Sequence, residues 1–215
     1  MKRKEFIETC SGRSRSELLE IAVNARKNVE KMISEDTKAM FHRLDEETVV
    51  EERYFETGWG RTHVYVVRSL NHKDEKLPVV VNAHGGGWTL EHSERDLYFC
   101  RRMAHLAGCV VFDIDYVLAP EHPYPAALDD VADAVSFARR ELVANGEPLA
   151  VGGDSSGGNL AIACALRLAN KAEEHENTQG ATDGLIAIYP VIKAEPTDDS
   201  SWISYNRTYG LDAPL

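Results

Sequence analysis

The fold is decided by the stretch Val151-Gly152-Gly153-Asp154-Ser155-Ser156-Gly157-Gly158. It follows a short apolar run at residues 148–151, which predicts a buried strand, and it precedes helical apolar spacing at residues 159–169. Glycines on both sides of Ser155 allow a turn so tight that larger side chains would collide with the neighbouring backbone. The sequence therefore predicts a strand, a sharp turn and a helix, with the Ser155 hydroxyl raised above the edge of a sheet.

Strands and helices alternate on both sides of this turn. Short apolar runs predict buried strands at residues 79–82, 109–112, 148–151 and 185–189, and amphipathic spacing predicts helices at residues 96–106, 126–142 and 159–169. Two longer segments, 49–57 and 62–69, flank a Gly-Trp-Gly turn and predict an antiparallel pair. Short apolar strands that alternate with helices are typical of a parallel sheet covered on both faces.

The N-terminal part has a different pattern. Ser14-Arg15-Ser16-Glu17 is a capping box, and the apolar residues that follow it predict an amphipathic helix. The polar stretch 34–48 predicts a linker or a mobile lid. We therefore divide the chain into an N-terminal helical cap segment, residues 1–48, and an α/β domain, residues 49–215.

Composition and charge limit the function classes. The 215 residues include 24 Lys and Arg against 35 Asp and Glu, a formal net charge of −11, and 43% are hydrophobic. This charge repels phosphate backbones and anionic lipid, so we expect no nucleic-acid partner. No segment approaches the roughly 20 apolar residues that span a bilayer, and no signal-peptide pattern follows the basic N-terminus. We therefore expect a cytoplasmic protein without a membrane span.

The cysteines and histidines show no spacing typical of a metal site. Cys10, Cys100, Cys109 and Cys164 are far apart, and the histidines form no H-E-x-x-H pattern. We expect reduced thiols, no metal and no cofactor.

A second glycine-rich stretch, His84-Gly85-Gly86-Gly87-Trp88, directly follows a predicted strand. Adjacent glycines leave backbone N–H groups accessible, and such donors stabilise the oxyanion of a tetrahedral intermediate by about 3–4 kcal/mol each. The first helical turn after the elbow offers another free amide, that of Ser156. We predict Gly85, Gly86 and Ser156 as oxyanion donors and expect His84 to order the loop. The alternative, a phosphate-binding loop, lacks its usual lysine.

Three blocks of sequence follow one another in a characteristic order: residues 84–88, residues 115–127 (DYVLAPEHPYPAA) and residues 153–158. In order and spacing they resemble the hormone-sensitive-lipase-like group of α/β-hydrolases, which includes many bacterial acetyl esterases and carboxylesterases. The sequence departs from the group at Val117, where Arg is usual, and at Ser156, where Ala is usual. Only local packing is affected, because Ser156 still supplies its backbone amide.

The resemblance implies an α/β-hydrolase fold, a mostly parallel sheet with helices on both faces, and a small-molecule ester as substrate. It implies that Ser155 is the nucleophile of an esterase that cleaves short-chain carboxylic esters through an acyl-enzyme. The residues that support this motif are His84, Gly87, Gly153, Asp154 and Gly157. Amidase and acyltransferase chemistry use the same nucleophile. Plant hormone receptors share the fold, so a non-catalytic small-molecule binding protein is the alternative from another class.

The acid and the histidine that the group places after its serine have no match in this chain. The one histidine after Ser155 is His175, and its polar surroundings indicate a surface position. Four aspartates lack the context of an acid loop: Asp183, Asp198, Asp199 and Asp212. Neither His84 nor His122 is assigned as the base. We therefore expect a partial domain without the C-terminal strands, impaired activity, and self-association through an exposed sheet edge.

Overall fold

The computed structural model describes residues 14–29, 34–72, 76–143, 146–174 and 182–192. The strands are β1 (Thr48–Thr57), β2 (Gly60–Ser69), β3 (Val79–Ala83), β4 (Val110–Asp115), β5 (Leu149–Asp154) and β6 (Gly184–Ile188). The helices are α1 (Arg15–Val29), α2 (Glu35–Phe41), α3 (Glu94–Ala107), α4 (Ala126–Leu142) and α5 (Ser155–Glu174). Short 3-10 turns occur at His42–Leu44 and Leu70–His72.

The six strands form one sheet in the order β1-β2-β4-β3-β5-β6. Strand β1 pairs antiparallel with β2, and β2 pairs antiparallel with β4. Strands β4, β3, β5 and β6 are parallel neighbours. Every residue of β3 is buried, as its continuous apolar sequence predicts for a central strand. The predicted mostly parallel sheet with a leading antiparallel pair is confirmed.

Helices cover both faces of the sheet. The larger core cluster joins the inner sides of α4 and α5 to one face through Val131, Val135 and Cys164. The smaller cluster joins α3 to the other face through Cys100 and Ala104. The carboxyl ends of the parallel strands therefore meet at one edge, where ligand sites of such sheets form.

Helix α5 begins at Ser155, as the placement of Ser156 in its first turn predicts, and four residues before the apolar spacing at residues 159–169. The polar stretch 34–48, predicted as a linker or mobile lid, contains helix α2. Its N-cap Ser34 accepts a hydrogen bond from the Thr37 amide, and Phe41 is buried against the ring of Tyr98. One cap and one buried aromatic residue are enough to order this short helix.

The far edge of the described sheet is strand β6. Both of its faces are partly open, and Leu185 and Ile186 are 47% and 38% exposed. None of the helices in the described part of the chain is both long and apolar enough to cross a bilayer.

Candidate active site

The turn between β5 and α5 holds Ser155 in a strained backbone conformation. Its φ is 51°, in the left-handed region that non-glycine residues seldom adopt. The turn also passes very close to the end of β3. A Cβ atom on Gly153 or Gly157 would collide with the Ala83 carbonyl oxygen, and one on Gly157 would lie 2.5 Å from the His84 carbonyl oxygen. Only glycine fits at these two positions, as the sequence pattern predicts.

The loop after β3 is held by His84. Its buried imidazole Nδ1 donates to the Gly85 carbonyl at 2.7 Å, and its ring stacks on Tyr116 with centroids 4.3 Å apart. The Tyr116 hydroxyl in turn donates to the His84 carbonyl oxygen at 2.8 Å. Burial raises the pKa of Tyr116 well above its usual value, so this hydroxyl stays a donor.

The structure corrects the prediction that Gly85 is an oxyanion donor. Its amide donates to Asp154 Oδ1 at 2.9 Å, and a Cβ on Gly85 would lie 2.5 Å from Asp154 Oδ2. The amides of Gly86 and Gly87, by contrast, have no acceptor among the described residues. These two glycines have φ values of 130° and 62°, which explains why the loop needs glycine there.

The amide of Ser156 lies in the first turn of α5, where helix geometry leaves N–H groups without an intrahelical acceptor. Its side chain is buried. Ser156 therefore offers its backbone amide, together with the positive end of the helix dipole. In the described part of the chain, the glycine loop and the start of α5 thus offer three free backbone donors, those of Gly86, Gly87 and Ser156.

Asp154 ties three segments together at the end of the sheet. One carboxylate oxygen accepts from Gly85, and the other accepts from the Tyr189 hydroxyl at 3.2 Å. Partial burial, with the Asp154 carboxylate nearby, raises the pKa of Tyr189. The residue between the glycine and the serine of the elbow thus clamps the glycine loop to the end of β6. Sequence reasoning missed this clamp because no motif connects these positions.

Ser155 Oγ has no hydrogen-bond partner among the described residues, and none of the histidines described reaches it. His175 lies outside the described residues, as do Asp198, Asp199 and Asp212. Asp183 is described: it accepts from the Leu149 amide and from Arg139, and these contacts lower the pKa of its carboxyl. Asp183 therefore fixes the start of β5 and takes no part in the site.

No group of three or more metal-binding side chains occurs in the described part of the chain. The described cysteines, Cys100, Cys109 and Cys164, are buried free thiols. Burial raises the pKa of Cys109 to about 11 and that of Cys164 to about 12, so neither forms a reactive thiolate near neutral pH. Among the described residues, the elbow presents the Ser155 hydroxyl and the backbone amide of Ser156.

A family model for the α/β-hydrolase fold matches residues 80–214, which include the glycine loop and the elbow. The chain therefore belongs to the α/β-hydrolase family. Mouse hormone-sensitive lipase is 37% identical over 140 residues, which are 64% of this chain and 17% of the lipase. The carboxylic ester hydrolase LipN of Mycobacterium tuberculosis is 38% identical over 136 residues, which are 61% of this chain and 31% of that enzyme.

Solved structures give the same result. An esterase of Pyrobaculum calidifontis superposes with a TM-score of 0.72 at 30% identity, over 89% of this chain and 60% of the esterase. The chain thus spans less than two thirds of the length of each of these three relatives.

Helix α1 is attached to the site by Arg26. Its guanidinium donates to the Thr89 carbonyl at 2.7 Å, just after the glycine loop, and to the Ala119 carbonyl at 3.1 Å. It also makes a two-point contact with the Glu121 carboxylate, at 2.7 and 2.9 Å. This hydrogen bonding raises the pKa of Arg26 and lowers that of Glu121. Glu121 therefore anchors helix α1.

A buried ion pair lies behind the glycine loop. His92 Nε2 donates to Asp113 Oδ2 at 2.6 Å, and Asn82 donates to the other carboxylate oxygen at 2.8 Å. The His92 ring meets the edge of His84 with centroids 5.5 Å apart and stacks on Tyr65. Sequence reasoning missed this pair because Asp113 stands inside an apolar strand run. An acidic residue in such a run is the one signal that indicates a buried partner.

Proposed function

We propose that this hydrolase is a carboxylesterase-like enzyme that cleaves short-chain carboxylic esters through an acyl-enzyme on Ser155. One observation carries the proposal. Ser155 sits on a strained turn at the N-terminus of a helix, opposite a glycine loop with two free amides. The esterase and lipase relatives support it.

In this proposal Ser155 Oγ attacks the carbonyl carbon of the ester and the hydroxyl gives up its proton to a base. The carbonyl oxygen becomes an oxyanion that accepts hydrogen bonds from the amides of Gly86, Gly87 and Ser156. The tetrahedral intermediate collapses, the alcohol leaves with a proton, and the acyl group remains on Ser155. Water then attacks the acyl-enzyme through the same oxyanion geometry and releases the carboxylic acid.

We also propose that turnover by these 215 residues is impaired. No described residue holds an imidazole within hydrogen-bonding distance of Ser155 Oγ, and a serine hydroxyl without such a base is a weak nucleophile. In serine hydrolases whose triad has been removed, oxyanion stabilisation and binding alone still accelerate hydrolysis roughly 10³- to 10⁴-fold over water. This residual rate does not require the serine, so we expect Ser155-dependent hydrolysis only as the rate above it.

An apolar cavity next to the elbow has the size for a short acyl chain. Its volume is about 300 Å³, and it lies between the glycine loop, the proline-rich segment and α5. Its lining includes Trp88, Ala119, His122, Leu128 and Leu160. Trp88 directly follows the last loop glycine, and Leu160 lies in the second turn of the Ser155 helix. We propose that the acyl group of the substrate occupies this space.

Hydrolysis of p-nitrophenyl acetate tests the proposal. The full chain should release p-nitrophenolate faster than Ser155→Ala does, and Ser155→Ala should keep only the residual rate that oxyanion stabilisation and binding supply. Ser136→Ala is the matched control, because Ser136 lies in the middle of α4 and bonds only its own helix. Equal rates for the wild-type chain and Ser155→Ala would refute the esterase proposal.

A second candidate is a non-catalytic small-molecule binding protein. It is favoured by the unpartnered Ser155 hydroxyl and by the gibberellin receptor GID1B of Arabidopsis thaliana, which is 38% identical over 104 residues, 45% of this chain and 29% of the receptor. Saturable binding of an ester without Ser155-dependent release of alcohol would support this candidate over the first.

Because the described thiols are free and buried, we propose a cytoplasmic location. Fractionation of cells that express the full chain tests it.

A further inference from the structure

A second cavity lies beside the glycine loop, between helix α1 and the segment that leads into α3. Its volume is about 320 Å³. Helix α1 contributes Arg26 and Lys27 to its lining, and the segment after the loop contributes Leu90, Glu91 and His92. We call it the Lys27 cavity. The described chain forms it, and neither the nucleophile nor the oxyanion donors line it.

The Lys27 cavity shares a wall with the oxyanion loop. The Leu90 amide donates to the Gly86 carbonyl at 3.0 Å, and a Cβ on Gly86 would lie 2.9 Å from Leu90 Cβ. Arg26 holds the same turn through the Thr89 carbonyl. A group bound in this cavity therefore lies beside the turn formed by residues 86–90, which also carries the free amides of Gly86 and Gly87.

His92 brings an unused hydrogen-bond donor to the cavity. Its side chain is only 6% exposed, and its Nε2 is bound to the fully buried carboxylate of Asp113. Burial alone would lower the pKa of His92, but the facing Asp113 outweighs burial and raises that pKa to about 9. A doubly protonated imidazole donates from both nitrogens, and Nδ1 has no acceptor among the described residues. Because His92 also lines the cavity, this nitrogen is available to an acceptor oxygen there.

The cations of the cavity favour a negatively charged acceptor. Lys27 is exposed at the rim, and its ammonium has no partner within the described ranges. Arg26 already pairs with Glu121, so Lys27 is the free positive charge. Glu91 is the one carboxylate among the lining residues, and it attracts the Arg26 guanidinium. His92 is likewise paired with Asp113, so the cavity offers one unpaired ammonium, Lys27, beside the Nδ1 donor of His92.

We propose that the Lys27 cavity binds the carboxylate of an acidic ester, such as a half ester of a small dicarboxylic acid. His92 Nδ1 donates to one carboxylate oxygen and Lys27 faces the other. The ester part of this assignment rests on the proposed function, whereas carboxylate binding rests on the cavity alone. The site would orient the substrate from the side opposite the apolar acyl cavity.

Titration of the ¹⁵N-labelled full chain with succinate, with binding measured from the chemical shifts of the protein, tests the site without turnover. Lys27→Gln should weaken binding about two- to fivefold, as loss of a rim charge does. Glu91→Gln should tighten it by a similar factor. Opposite effects of two exposed neutral-for-charged substitutions are not expected from a purely structural role. Lys76→Gln, an exposed lysine outside the cavity, should change nothing.

His92→Gln should weaken succinate binding about tenfold or more, because a charge-assisted donor is lost. Should this buried variant fail to fold, the Lys27 and Glu91 variants still decide the question. Equally strong binding of succinamide, which has no charge, would overturn the proposal. So would succinate binding that neither Lys27→Gln nor Glu91→Gln alters, or no binding at all.

Two esters separate this proposal from the esterase function. Mono-p-nitrophenyl succinate should be cleaved with a higher kcat/KM than neutral p-nitrophenyl butyrate, and Lys27→Gln should reduce this preference about two- to fivefold. If neither ester is cleaved but the opposite effects on succinate binding persist, the carboxylate site stands and the esterase proposal falls. If the butyrate ester is cleaved through Ser155 while succinate does not bind, the esterase proposal stands and the site is refuted.

Discussion

Replacement of Asp113 by asparagine tests the buried ion pair behind the oxyanion loop. Asparagine keeps the shape of the side chain and removes the charge that faces His92. The folded-state pKa of His92 is about 9, against 6.5 for an ordinary histidine. A raised pKa stabilises the fold fully below pH 6.5, and this contribution is lost as the pH rises through about 9. The unfolding free energy that this contribution loses between about pH 7 and pH 10 is roughly 2–3 kcal/mol.

The pKa of Asp113 is lowered, despite the opposing effect of burial, by the facing His92. This lowering reports the same His92–Asp113 interaction, so it is counted once: the interaction is lost in acid as Asp113 takes up a proton, and in alkali as His92 loses one. We therefore expect Asp113→Asn to lose about 2–3 kcal/mol of unfolding free energy near pH 7. The difference from the wild-type chain should largely disappear near pH 10.

Urea unfolding followed by tryptophan fluorescence at both pH values measures this difference. Glu20→Gln is the charge control, because Glu20 is an exposed carboxylate of α1 without a partner in the described part of the chain. Its effect should stay within about 0.5 kcal/mol at either pH. A destabilisation by Asp113→Asn that is the same at both pH values would refute the argument, because it would not come from the His92 charge.

Three further outcomes follow from the packing. In urea unfolding, Gly157→Ala should lower the unfolding free energy by about 3 kcal/mol or more, because the added Cβ would collide with backbone. Gly58→Ala, with open space around the new Cβ, should lower it by less than about 0.5 kcal/mol. Equal effects of the two substitutions would contradict the elbow geometry. Arg26→Lys should speed amide hydrogen exchange in α1 about five- to thirtyfold, because loss of the two-point contact with Glu121 weakens the docking of α1 by roughly 1–2 kcal/mol. Unchanged exchange would contradict this docking. Sedimentation velocity should show self-association that Ile186→Lys on edge strand β6 reduces, and a monomer at all concentrations would contradict it.

Steric constraints made the elbow and the sheet predictable from sequence. Position 157 requires glycine because the Ala83 carbonyl leaves no room for a Cβ. The residue type therefore indicates the close approach of the turn to β3. The fully buried β3 has an equally direct cause, because only an apolar run can pair on both sides and be covered on both faces.

Contacts between distant segments were not predictable. Which glycine amides are free depends on the Asp154 carboxylate, which binds Gly85 across 69 positions of sequence. The loop sequence alone does not distinguish Gly85 from Gly87. The His92–Asp113 pair and the Arg26 clamp likewise depend on strand register and helix docking, which no local pattern contains. Helix α2 is so short that its position depends on one buried aromatic residue, Phe41.

The central claim is that Ser155 is the nucleophile of an esterase site. Its most direct test is incubation of the full chain with a fluorophosphonate, followed by intact-mass measurement and peptide mapping. We predict a single phosphonyl adduct on the peptide that contains Ser155, its absence in Ser155→Ala and its retention in Ser136→Ala. An adduct on another residue, or equal labelling of Ser155→Ala and the wild-type chain, would contradict the account.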